Sequence, residues 1–344
     1  MQVLITVIIV VAIFFMIRSL SKTFRNRRRQ PNYKKHLVPK QLNLQRDVIL
    51  RDAESRLQAG LPKHFVKQLK GRMLEKYPRM SEAEFDWKFF ELKRYFMMTA
   101  IMKSVPMYSD SVDDIWHEML MFTREYQEFG ETFIGSSIHH APHSSTASSP
   151  NPGERAWFEW VYSQLFTVSP YTGAIWKSFF RHPLDITRIE ELLLMSEESL
   201  VKSLFNQRTV EQYPEIRSVV HLLIAKAKRQ ISGAEHNTAY DEARPSRGNA
   251  DFMPYMAGAM MFHSYQNDNG FEEHMQQYSL EDEKKKDTAN TGDSSGYICN
   301  GWDENCTDNG SHDSSSDSGG GGGDSGSTSS CSSSSCSSCG GGGD

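Results

Sequence analysis

The sequence predicts an all-α protein with a single N-terminal transmembrane helix, a soluble multi-helix domain and a disordered tail rich in glycine, serine and cysteine. Three observations lead to this fold class. The 344-residue chain opens on an apolar run, its middle shows helical periodicity with almost no strand-like alternation, and its end is of low complexity. The chain thus divides into a transmembrane anchor (1–20), a basic juxtamembrane segment (21–40), a helical domain (41–280) and an acidic tail (281–344).

The anchor is predicted from residues 3–17, which are apolar apart from Thr6 and cover about 22 Å as a helix. Extension to Leu20 brings this length closer to the roughly 30 Å apolar layer of a bilayer. The nine Lys/Arg residues of 1–40 all follow the run. Because such charges stay on the cytoplasmic side, we expect a single-pass cell-membrane protein with its N-terminus outside, its domain cytoplasmic and the lipid bilayer as a partner. A cleaved signal peptide or a buried core helix is the alternative, although a signal peptide carries its charge before the apolar run.

The tail, residues 281–344, holds twelve acidic residues against three lysines and is too polar to bury a core. All five cysteines lie at or beyond Cys299, which excludes a disulfide framework in the domain. Cys331, Cys336 and Cys339 form a C-x4-C-x2-C pattern that lacks a neighbouring histidine and falls short of a zinc-ribbon spacing. The net charge of −5 argues against a nucleic-acid partner.

Periodicity in the domain predicts seven amphipathic helices. They are expected at about 43–59, 63–77, 81–104, 111–129, 153–167, 185–206 and 214–231. The apolar segment 253–263 is too short to span a bilayer, so it docks either on the domain or on the membrane face.

Residues 110–143 hold the one group of side chains suited to chemistry. Asp113 and His117 are four residues apart on a predicted helix, so that Asp113 can orient His117 from the second shell of a metal site. The following loop supplies His139, His140 and His143, and such imidazoles suit zinc or another borderline divalent ion. Adjacent loop residues point to opposite sides, so only one of His139 and His140 is expected to join His117. The alternative is a purely structural histidine beside an aspartate.

Known catalytic motifs are absent from this stretch. His117-Glu118 is not the H-E-x-x-H of a zinc protease, because Met121 stands in the last position. On an unbroken helix Arg124 would share a face with His117, and a metal-dependent hydrolase would take Asp114 or Glu118 as its base.

The same stretch resembles the glycine-rich domain-containing protein family, in particular its bacterial, membrane-anchored members. The matching residues are Val112, Asp113, Trp116, His117, Thr123, Tyr126, Phe129, Ile138, His139, His140 and Pro142. The chain departs from the family at Gly130, where members often have cysteine, and in a less regular glycine-rich end. The resemblance implies a helical domain with no settled activity.

Three of the shared residues have a structural interpretation. Trp116 is expected to fill a pocket between helices, Thr123 to bond back to a helical carbonyl, and Tyr126 to pack while its hydroxyl finds a partner.

Two functions follow from these observations. The first is a non-enzymatic interaction or scaffold module on the cytoplasmic face of the membrane, with other membrane or cytoplasmic proteins as partners and no cofactor. The alternative is a divalent-metal-binding protein or metal-dependent hydrolase that uses His117 with a loop histidine and takes zinc as its cofactor.

Overall fold

Helices account for nearly all the regular structure in the described part of the chain. The computed structural model describes residues 31–140, 151–237, 239–240, 242–246, 249–267 and 270–286. These ranges contain thirteen α-helices, one 3-10 turn (Lys35–Leu37) and two isolated β-bridges, with no β-strand. The prediction of an all-α domain is confirmed.

The helices follow one another with short connections. In chain order they are α1 (Arg51–Ala59), α2 (Lys63–Lys76), α3 (Glu82–Ile101), α4 (Asp110–Leu120), α5 (Thr123–Ile134), α6 (Pro152–Leu165), α7 (Thr172–Trp176), α8 (Ile186–Leu194), α9 (Glu197–Leu204), α10 (Gln207–Gln212), α11 (Pro214–His236), α12 (Phe252–Tyr265) and α13 (Phe271–Lys286).

The described residues all belong to a compact unit, Met1–Asp308, whereas the second unit, Asn309–Asp344, lies outside them. Most of the predicted disordered tail therefore lies outside the described residues as well. Helix α13 continues to Lys286, past the predicted boundary at residue 280.

The predicted anchor, residues 1–20, also lies outside the described part of the chain. Within that part, no helix combines the length and apolar character needed to cross a bilayer. Helix α12 is apolar but has only 14 residues, and the 20-residue α3 carries Glu91 and Arg94. On this finding we correct the membrane-spanning fold class and the single-pass cell-membrane localisation: the described fold is all-α without a span.

Helix α1 begins eight residues later than the periodicity predicts. Asn43 has a positive φ of 53°, which interrupts a right-handed helix. The backbone N–H of Gln45 then donates to the Leu165 carbonyl at 2.8 Å, and Leu44 forms a β-bridge with Phe166. Residues 43–45 thus pair with the end of α6 instead of extending α1.

The predicted helix 111–129 is two helices. The chain breaks between α4 and α5 at Met121 and Phe122, where the ring of Phe122 packs edge-on against Phe65 at 5.4 Å. Arg124 therefore lies on α5, exposed and paired with Glu128 at 2.9 Å, and it does not continue the face of α4.

Helix α12 resolves the alternatives left open for residues 253–263. It packs against α6 and α11, and nearly all its side chains are buried. The apolar segment therefore docks in the core of the domain.

Helix α3 contains an ion pair that is buried in this core. Glu91 and Arg94 are both fully buried, with Arg94 Nη1 and Glu91 Oε1 3.6 Å apart. The Glu91 carboxylate accepts four hydrogen bonds, from Tyr162, Trp176, Ser169 and Thr172. Arg94 in turn donates to the Leu42 carbonyl at 3.0 Å. These bonds compensate the cost of burying both charges and hold α3, α6 and α7 together.

Candidate metal centre

Helix α4 presents two of the candidate ligands side by side. Asp113 and His117 are separated by one helical turn, which places them on the same face. Val112, Ile115 and Met119 are buried in the domain. The packing of these apolar residues fixes the rotation of α4 and leaves Asp113 and His117 partly exposed beside the core.

A sharp chain reversal after α5 brings a histidine back to α4. Gly135 ends α5 with φ of +70°, a conformation that favours glycine. Gly130 lies under the returning chain, because a Cβ at this position would stand 2.6 Å from the Ser136 carbonyl oxygen. The two glycines thus let residues 136–140, here called the return loop, pass close over α5.

Two hydrogen bonds tie the return loop to both helices. The indole N–H of Trp116 donates to the Tyr126 hydroxyl, which donates to the Ile138 carbonyl. Burial raises the pKa of Tyr126 to about 12, more than the Trp116 hydrogen bond lowers it, so the phenol stays protonated at neutral pH. Ile138 is buried, and His140 follows two residues later.

Asp113, His117 and His140 converge at this point. His140 Nε2 lies 2.8 Å from Asp113 Oδ1 and donates to it, and His117 Nδ1 lies 3.6 Å from Asp113 Oδ2. The His140 ring also stands nearly perpendicular to the Trp116 ring, with 4.3 Å between centroids. The side chains are 7% exposed in His140, 20% in Asp113 and 46% in His117. The cluster therefore sits at the surface with one side closed by the core.

The three residues form a site that could hold a metal ion. Each offers one ligand atom, and these atoms all lie within 4.8 Å of one another. Bonds of about 2.0–2.1 Å in a tetrahedral zinc site place ligand atoms roughly 3.3 Å apart. Small side-chain rotations would bring the observed separations to that value.

The predicted site residues divide between this cluster and other positions. His117 and His140 come together, and Asp113, predicted as an orienting residue, offers a ligand atom itself. His139 is exposed and lines the cavity beside the cluster, but it is not one of the three clustered residues, in keeping with the alternation expected for adjacent loop residues. His143 lies outside the described residues. Thr123 is exposed at the first residue of α5 and takes no part in the cluster.

The acidic residues considered as a hydrolytic base face helix α2. Glu118 pairs with Arg72 and Lys76. Asp114 lies near Tyr77, the residue that follows α2, and after burial its carboxylate is a further cause that raises the pKa of Tyr77. Burial favours the neutral form of Glu118, but the hydrogen bonds from the two cations outweigh it and hold its pKa below the ordinary value. Glu118 therefore joins α2 to α4.

A cavity of about 460 Å³ adjoins the cluster, and the sequence contains no signal for it. Asp113 and His140 lie in its wall, as do Tyr95 and Trp116. The Tyr95 hydroxyl donates to the Val105 carbonyl, and burial, followed by the nearby Asp113 charge, raises the pKa of Tyr95 above its ordinary value. The candidate metal centre therefore has a ready-made pocket beside it.

Part of the chain matches a known protein family. Residues 46–163 match the model of an uncharacterised family described as UCP032817-like. The matched region covers about a third of the chain and includes the three residues of the cluster. No curated protein matches the chain, and no solved structure matches it either.

The predicted resemblance to the glycine-rich domain-containing family is wrong, since the matching model is that of a different family. The residues that carried it explain why. The return loop is joined to α4 and α5 by the hydrogen bonds among Trp116, Tyr126 and Ile138. Residues that serve packing in this way do not identify one family.

Proposed function

We propose that the protein binds a divalent metal ion, with zinc as the preferred ion, through Asp113, His117 and His140. This proposal is supported by the convergence of two imidazoles and a carboxylate. Asp113 and His117 come from successive turns of α4, and His140 comes from the return loop. Two nitrogen ligands and one oxygen ligand form a donor set that zinc takes in catalytic sites.

The number of ligands distinguishes this arrangement from a structural zinc site. Structural zinc is almost always held by four protein ligands, whereas three ligands leave a position for water or substrate. Two histidines with one carboxylate also serve Fe²⁺ in non-haem oxygenases. Separate titrations of Zn²⁺ and Fe²⁺ therefore distinguish the two possibilities.

Metal binding at this site would require a change of tautomer at His140. His140 Nε2 carries a proton when it donates to Asp113 Oδ1. For this nitrogen to bind a metal ion, the proton would have to move to Nδ1, and the ion would replace the hydrogen bond to Asp113.

Metal-dependent hydrolysis is a second candidate function, and the cavity favours it. Asp113 and His140 belong to the metal cluster and also line the 460 Å³ space, so a metal ion held by the cluster would lie beside the cavity. Such an ion would supply a water of lowered pKa as nucleophile, without Asp114 or Glu118 as base.

The test of metal binding uses the full-length chain with its five cysteine thiols alkylated, so that the tail does not compete. Metal is removed with a chelator, and Zn²⁺, Co²⁺ and Fe²⁺ are titrated separately, with calorimetry for Zn²⁺ and visible absorption for Co²⁺. We expect one ion per chain and tighter binding of Zn²⁺ than of Fe²⁺.

Single variants then assign the ligands. His117→Ala, His140→Ala and Asp113→Ala should each weaken Zn²⁺ binding by about 100-fold or more. His139→Ala, next in the chain to His140 but outside the cluster, and His236→Ala, exposed at the end of α11, should bind as wild type. Unchanged affinity in His140→Ala, or no Zn²⁺ binding by the wild type, overturns the proposal and leaves the interaction module as the remaining hypothesis.

A further inference from the structure

The cavity beside the candidate metal centre has an apolar floor. Tyr95, Trp116, Met102, Met107 and Ile138 line it, and each is at least nine-tenths buried. A volume of about 460 Å³ lies within the range of small-molecule sites. The floor therefore suits the hydrocarbon part of a small organic molecule.

The charges around the cavity indicate which polar group such a molecule would carry. Among the lining residues, and leaving histidines aside, Lys103 is the one cation and Asp113 the one carboxylate. The two charges balance in the protein alone. A divalent ion on the cluster would leave the cavity with an excess of two positive charges, which attracts an anion.

Lys103 is held at the cavity by its neighbours. Its backbone N–H donates to the Leu204 carbonyl at 3.0 Å, and its ammonium donates to the Lys202 carbonyl at 3.1 Å. An ammonium has three donors, so two remain for a ligand or water. Lys103 is an exposed residue of the cavity lining, so its ammonium adds positive charge near the cavity.

We propose that the metal-loaded cavity binds a small organic carboxylate, with the carboxylate on the metal ion near the positive field of Lys103 and the hydrocarbon part on the apolar floor. This inference rests on the proposed metal binding. It adds a substrate class. A neutral molecule would match only the apolar floor, and a small polar anion would match only the positive charge.

The test uses the full-length, thiol-alkylated protein loaded with Co²⁺, whose visible spectrum responds to a change of ligand. Benzoate, its neutral analogue benzamide and the smaller anion acetate are titrated in turn. Benzoate should alter the spectrum and bind at least about tenfold more tightly than acetate, because only benzoate buries an apolar ring. Benzamide should leave the spectrum unchanged.

Lysine variants test the charge. Lys103→Met should weaken benzoate binding by about 3- to 10-fold. It should not weaken Co²⁺ binding, since Lys103 is outside the metal cluster and its positive charge opposes the ion. Lys67→Met, at an exposed position of α2 that does not line the cavity, is the matched control and should bind benzoate as wild type.

The outcomes separate this inference from the proposed function. Protein that binds Co²⁺ but responds equally to benzoate and benzamide, or to neither, overturns the carboxylate site alone. Equal benzoate affinity in Lys103→Met and wild type would show that the lysine does not attract the carboxylate, and it would overturn the proposed contribution of charge. Failure to bind Co²⁺ overturns the proposed function and this inference together.

Discussion

The indole nitrogen of Trp116 lies 2.9 Å from the Tyr126 hydroxyl oxygen, and that hydroxyl lies 2.8 Å from the Ile138 carbonyl oxygen. These two bonds connect α4, α5 and the return loop in a single chain of donors and acceptors. Because His140 follows Ile138 by two residues and its ring packs on Trp116, the same chain sets where His140 meets Asp113.

Replacement of Tyr126 by phenylalanine should therefore affect both stability and the metal site. Tyr126→Phe leaves the buried Trp116 N–H and Ile138 carbonyl without their partner, which costs about 1–3 kcal/mol of unfolding free energy. Loss of the orienting contact should also weaken Zn²⁺ binding by about 10- to 100-fold. Urea unfolding and metal titration measure the two effects.

Tyr171→Phe is the matched control for this variant. The Tyr171 hydroxyl also accepts from an N–H, that of Lys34, and donates to a carbonyl, that of Asn32. It takes no part in the metal cluster. A comparable loss of stability with unchanged Zn²⁺ affinity is expected, and an equal loss of affinity in both variants would contradict a specific role for Tyr126.

Gly130 permits the close approach of the return loop to α5. In Gly130→Ala the new Cβ would stand 2.6 Å from the Ser136 carbonyl oxygen, and a backbone atom cannot move aside as a flexible side chain can. We expect a loss of about 1–3 kcal/mol, typical of overpacking, and weaker Zn²⁺ binding because the loop must shift. Thermal unfolding and metal titration give the two values.

Gly71→Ala, in the interior of α2, is the control for the backbone effect of the substitution. A Cβ at Gly71 meets no atom within 4 Å. This variant should gain about 0.5–1 kcal/mol, because alanine favours the helix over the unfolded chain. If Gly130→Ala were stabilised to the same degree, the return loop would not depend on contact with α5.

The buried ion pair of α3 makes a separate prediction about the core. Glu91→Ala leaves Arg94 as an uncompensated charge at a fully buried position, so about 3–5 kcal/mol of stability should be lost. Glu128→Ala removes a carboxylate from an exposed pair with Arg124 and should leave the urea midpoint unchanged. Similar midpoints for the two variants would show that the Glu91 network does not stabilise the core.

Local signals in the sequence predict much of this fold. The helices predicted at 63–77 and 153–167 agree with the structure within a few residues, whereas the one predicted at 185–206 is the two helices α8 and α9. Ser81 accepts from the Glu84 N–H, and a serine followed three residues later by a glutamate is a capping pattern. Two other errors occur where tertiary contacts override periodicity. Residues 43–45 bond to the end of α6, and Phe122 turns into contact with Phe65, which splits one predicted helix into α4 and α5.

The candidate site was predictable in its residue types but not in its geometry. Helical spacing brings Asp113 beside His117, and alternation in the loop selects one of two adjacent histidines. The choice of His140 depends on the position of the loop, which Gly130, Gly135 and Tyr126 set through contacts distant in sequence. The cavity and the role of Lys103 depend on helices that meet only in the folded chain.

Glu118 provides a prediction of pH dependence away from the metal centre. Its pKa is held below the ordinary value by Arg72 and Lys76, despite burial that acts in the opposite direction. A carboxylate with a lowered folded pKa contributes stability that is complete above the unfolded pKa of about 4.3 and is lost as the pH falls through the folded value. The difference in stability between wild type and Glu118→Gln should therefore be constant from about pH 5.5 to 7 and decrease towards pH 3.

Thermal unfolding of wild type and Glu118→Gln between pH 3 and pH 7 measures this difference in stability. Variants of the partner cations provide the control. In the wild-type background Arg72→Met should reduce the pH-dependent contribution, because it removes one of the two cations paired with Glu118. In the Glu118→Gln background it should have no further effect on the pH profile, since the carboxylate is gone. Added salt should weaken the contribution, as both cations are about half exposed. A stability difference that increases towards pH 3 would mean that burial, and not the ion pairs, controls the pKa of Glu118.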